Sequence, residues 1–135
     1  HCRSAAPLTL GLDVGARLSL ARSAIGRAML FSLDADTRDK ALKALRAEAP
    51  AEWEQGRDGL AAAQAHLERH GYVRSSPGAD IGAVAVTLDP GDGRDRFGLN
   101  CGGPASSMDA ARLACLGPRL IETAARIERA IRSEN

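Results

Sequence analysis

His66 and His70 stand four residues apart, the spacing that brings two imidazoles onto one face of a helix where they could share a zinc ion. In the zincin pattern a Glu directly follows the first His. Here Leu67 does, the acid is Glu68, and no third ligand lies nearby in sequence, so the pair reads as a solvated helix end and no metal is expected. Cys101 would act as a nucleophile only as a thiolate beside a base, and His1, His66 and His70 are all far from it in sequence. It reads as a small buried strand residue, with an enzyme using Cys101 as the alternative. Asp89 to Asp95 superficially resembles a calcium loop, but Gly91 and Gly93 fill its third and fifth positions and Asn100 its twelfth, where a bidentate Glu is needed. Gly91, Gly93 and Gly98 make no dinucleotide fingerprint, since no strand-to-helix junction follows them. Neither catalysis nor a cofactor is expected.

Ser23-Ala24-Ile25-Gly26 offers different chemistry. Ser23 precedes Ile25, Ala28, Met29 and Leu33 at helical spacing and suits an N-cap, while the small residues of the first turn leave backbone N–H groups accessible. Those amides sit at the positive end of the helix and can hold a carboxylate.

The elements that must position this helix start follow from periodicity. Leu8 to Val14 alternates as a half-buried strand closed by Gly15. Helix one runs to about Leu33; Asp36 or Thr37 caps a second helix that Pro50 ends; a third starts near Asp58 and stops at Gly71. Ile81 to Leu88 and Phe97 to Cys101, separated by the turn-rich Asp89–Asp95, form an antiparallel hairpin. A long helix from Ser106 or Ser107 carries a stripe from Leu113 to Ile131, with a kink expected at Pro118. The expected class is α+β, in one domain over residues 1–135 whose true start precedes His1.

Composition narrows the function. The chain has 135 residues, 44% hydrophobic and 26% charged, which suits one folded core. Basic and acidic residues nearly balance at 18 against 17, without a polybasic block, and aromatics are only 3%, so direct nucleic-acid contact by this chain is not expected. Three widely spaced cysteines, Cys2, Cys101 and Cys115, read as reduced thiols. No apolar run approaches the roughly 18 to 20 residues that span a bilayer. A cytoplasmic protein without membrane contact is expected.

Several segments also match a known pattern in order: Gly15-Ala16-Arg17-Leu18-Ser19-Leu20 into Ser23-Ala24-Ile25-Gly26-Arg27-Ala28, then His70-Gly71-Tyr72, Gly82-Ala83-Val84-Ala85-Val86, Asn100-Cys101-Gly102-Gly103-Pro104-Ala105-Ser106 and Leu116-Gly117-Pro118-Arg119-Leu120. The set resembles the effector-binding domain of IclR-family bacterial transcription regulators. The resemblance implies a GAF-like antiparallel sheet flanked by helices and a small organic acid as effector. It also implies DNA contact only through a winged helix-turn-helix domain before His1, and assembly as a homodimer or homotetramer. Carried over, the effector site comprises Leu10, Leu18, Ser23, Ala24, Ile25, Gly26, Gly82, Asn100, Cys101 and Gly102. Many relatives have serines on the last strand where this chain has Asn100 and Gly102, and Tyr72 to Asp80 is shorter than in relatives that place an acid there. A module that only oligomerises through its last helix is the remaining alternative.

Overall fold

The computed structural model describes residues 14–91 and 96–134. The expected strand over Leu8 to Val14 lies almost wholly outside them, as does Leu10. Helix α1 (Ala24–Ser32) begins where the sequence places it, with the Ser23 hydroxyl accepting the Gly26 N–H.

The next two helices depart from expectation at their starts. Asp34, not Asp36 or Thr37, caps α2 (Ala35–Glu48) by accepting the Thr37 N–H. Pro50 ends α2 and also begins α3 (Pro50–His70), eight residues before Asp58. Proline is well suited to a first helical position, where its missing N–H has no partner to lose. Gly56 and Gly59 of α3 are both packing contacts. A Cβ at Gly56 would lie 2.5 Å from the Ala21 Cβ, and one at Gly59 2.5 Å from an Arg27 guanidinium nitrogen. The α3 helix ends as expected on Gly71 in the left-handed region, at φ 80°.

Strands β1 (Val73–Arg74), β2 (Ile81–Leu88) and β3 (Phe97–Pro104) form an antiparallel sheet in that order. The expected hairpin is present, with Ile81 opposite Pro104 and Leu88 opposite Phe97, and β3 runs three residues beyond Cys101. The last helix starts later than Ser106 or Ser107: Ala105–Ser107 is a 3-10 turn, and α4 spans Ala110–Glu134 with the Asp109 carboxylate accepting the Arg112 N–H. The α4 helix continues through Pro118 as one element.

Because side chains alternate along a strand, the sheet has two different faces. Val84, Val86 and Leu88 pack with Tyr72 against Leu113, Leu120 and Ala124 of α4. Ala83, Ala85 and Val73 pack against Ala24 and Ala28 of α1 and Ala63 of α3. Small alanines on both sides let α1 approach the sheet closely. The architecture is α+β, an antiparallel sheet between α1 with α3 on one side and the long α4 on the other. Among the described residues no helix is long and apolar enough to cross a membrane.

Candidate ligand site

The start of α1 is built from the segment before it. The Ser19 carbonyl accepts both the Ser23 N–H and the Ser23 hydroxyl, and Glu52 of α3 accepts the Ser19 hydroxyl and the Ala21 N–H. The turn is thus pinned from two sides. Ser23 satisfies the Gly26 N–H, while the Ala24 and Ile25 N–H groups have no acceptor among the described residues. These two amides keep the donor capacity that an anion at a helix start requires.

The expected site residues divide between the faces of the sheet. Register pairs Ala83 with Gly102, Ala85 with Asn100 and Thr87 with Gly98, and all six point toward α1. Ile25 covers Gly98, where a Cβ would lie 2.7 Å from its Cγ1. Further along β3, Asn100 and Gly102 are exposed although Ala85 and Ala83 opposite them are buried. This part of the sheet face toward α1 is therefore left uncovered by the described residues. Leu18, 46% exposed, leads into the turn. Gly82 and Cys101 belong to the other face: a Cβ on Gly82 would run into Met108, and Cys101 packs with Leu99 against the α4 cluster. The two-residue period of β2 and β3 separates them from the helix start.

A feature that the residue pattern alone did not single out lies on α1 itself. Arg27 is only 3% exposed. Its Nε donates to the Ala21 carbonyl at 2.7 Å and a terminal nitrogen to the Ser76 hydroxyl at 2.9 Å, and the other reaches the Gly56 carbonyl at 3.5 Å. No carboxylate pairs with it among the described residues. Burial pushes its pKa down, although a guanidinium stays charged in proteins. The usable signal was its solitude, as the one charge in Ala24-Ile25-Gly26-Arg27-Ala28-Met29-Leu30-Phe31-Ser32.

Arg27 lines an open groove of about 560 Å³ with α3 and the segment Arg74–Pro77. His66 and His70 meet there with ring centroids 4.4 Å apart, and Tyr72 stands edge-on to His66 at 4.8 Å. Among the described residues, His66 Nε2 is the buried side-chain polar atom left without a hydrogen-bond partner. Burial first, then the charges of Arg74, His70 and Arg69, hold the His66 pKa below its ordinary 6.5. The unfolded chain therefore takes up this proton at higher pH than the folded one. The associated stability is complete above pH 6.5 and is lost as pH falls through that value. A shallow decline in the urea midpoint is expected across that interval, and it should flatten in His66→Leu; an unchanged slope in the variant would assign the decline to other groups.

No protein-family model matches the chain. The HTH-type transcriptional regulator TsaQ1/TsaQ2 of Comamonas testosteroni is 29% identical over 124 residues, which are 88% of this chain and 45% of that protein. The solved structure of an IclR family transcriptional regulator from Brucella abortus superposes with a TM-score of 0.73 and 35% identity, covering 82% of this chain and 43% of that one. A putative transcriptional regulator, RHA06195, from Rhodococcus sp. RHA1 shares the fold at TM-score 0.76 and 24% identity, covering 99% of this chain and 56% of that one. The chain thus spans about half the length of the relatives it matches. The chain is thus similar in both sequence and fold to an IclR family transcriptional regulator, and in sequence to an HTH-type transcriptional regulator.

Proposed function

We propose that this chain is the effector-binding part of a transcription regulator, holding a small organic acid at the start of α1 without chemical turnover. The observation that carries this is the pair of Ala24 and Ile25 amides without an acceptor among the described residues, together with the exposed Asn100 and side-chain-free Gly102 on the sheet face toward α1. The carboxylate accepts from the two amides, Asn100 supplies a neutral polar contact, and Leu18 and Ile25 enclose the apolar part of the acid. Ser23 and Gly26 shape the turn that presents the amides. In this reading Gly82 and Cys101 support the strands from behind, and Leu10 lies outside the described residues.

DNA contact belongs to a winged helix-turn-helix elsewhere in the full protein, which works in the cytoplasm as a homo-oligomer. The kinship with regulators supports this division of labour. A thermal-shift series with small carboxylic acids tests the site. At a hundred times its Kd, one acid is expected to stabilise the fold by about 2.7 kcal/mol. Asn100 is exposed, so Asn100→Leu should leave the free protein folded and reduce the shift. Absence of any stabilising acid at millimolar concentration, or full stabilisation in that variant, would overturn the reading.

A further inference from the structure

We propose that the groove between α1, α3 and Arg74–Pro77 is a second ligand site, separate from the α1 start, that takes the phosphate group of a small anion. Its lining carries Arg27, Arg69, Arg74, His66 and His70 and not one aspartate or glutamate. A solvated helix face in a chain with nearly equal acids and bases would mix the two signs; this lining does not.

Arg27 gives the site a fixed anchor. A buried guanidinium without a carboxylate is costly, and a structural arginine normally meets that cost with an ion pair. Here three neutral oxygens take its bonds, from Ala21, Ser76 and Gly56, and they leave part of its five-donor capacity unused. Glu52, the carboxylate that pins this turn, is engaged by Ser19 and Ala21 instead. Gly59 keeps the wall open, since a side chain there would strike the Arg27 guanidinium.

The remaining groups complete an oxyanion cradle. Arg69 and Arg74 are exposed and free to swing over a ligand, and Ser76 already orients toward Arg27. His66 presents the unpartnered Nε2, which becomes a donor to an anion when the ring is protonated. Fork-shaped guanidinium donors match phosphate oxygens in pairs, which favours a phosphate over a single-point anion such as chloride. The groove, at about 560 Å³, has room for a phosphorylated metabolite as well as for inorganic phosphate.

The test follows the His66 and His70 ring resonances of the 135-residue chain by NMR while inorganic phosphate, or glycerol phosphate in a second arm, is titrated at constant ionic strength. Saturable shifts at both rings are expected, with chloride giving none. The double variant Arg69→Ala/Arg74→Ala alters only exposed side chains and should weaken binding by about tenfold or more. Arg27→Lys keeps the charge but loses the fork and should weaken it as well. Asn100→Leu should leave the titration unchanged, which separates this site from the one at the α1 start. Saturation by inorganic phosphate alone identifies the free ion as the ligand, and tighter binding of glycerol phosphate identifies a phosphomonoester. Linear, unsaturated shifts with both probes, or saturation unchanged in the double variant, would overturn the proposal.

Discussion

Gly26→Ala is expected to destabilise the ligand-free protein by about 3 kcal/mol, the upper end of ordinary overpacking, because the added methyl meets backbone and not a movable side chain. A Cβ at this position would overlap the Ser19 carbonyl oxygen and lie 2.7 Å from the Leu20 Cα. In an exposed helix the same change would stabilise by about 1 kcal/mol. The sign therefore distinguishes two roles for this glycine. If it served only to admit a ligand to the helix amides, alanine would leave the free protein unchanged or firmer. If it lets the Ser19–Leu20 turn close over α1, the urea midpoint must fall. The structure supports the second role, and a neutral or stabilising result would refute it.

Gly117→Ala is the other substitution with a large expected effect. Gly117 is buried in the middle of α4, and a Cβ there would enter the ring of Tyr72, 2.5 Å from its Cε2. Tyr72 cannot withdraw cheaply: it is 5% exposed and packs among Val84, Leu113 and Leu120 while its ring edge meets His66. A loss of about 2–3 kcal/mol is expected, against the gain of about 1 kcal/mol that alanine brings to an exposed helix. Tyr72→Leu should relieve the overlap, so the double variant should lose less than the sum of the two single losses. Strict additivity in denaturant titrations would mean that the two residues are not in contact.

Both substitutions show where local pattern and tertiary contact diverge. Glycine in a helix reads as a weakness, and the Gly117-Pro118 pair reads as a kink, yet Gly117 is where a neighbouring ring fits. Gly56 and Gly59 of α3 are likewise places of close contact, with Ala21 at one and Arg27 at the other.

What the sequence by itself determined was local in its physics. The Ser23 cap, the Gly71 stop, the β2–β3 hairpin and the α4 stripe depend on propensity, capping and periodicity within a few residues, and each is present in the structure. The ordered motifs also pointed to the IclR family, which the relatives in sequence and fold support. Only the tertiary structure decided which residues share a face. It set Gly82 and Cys101 on the α4 side, away from the α1 start: alternation puts neighbouring strand residues on opposite faces, but only the packing of α1 and α4 decides which helix covers each face. It also brought Arg27 together with Ser76, forty-nine residues away, and with the imidazoles of α3. Burial of a charge depends on what packs around it, and no spacing in the chain encodes that.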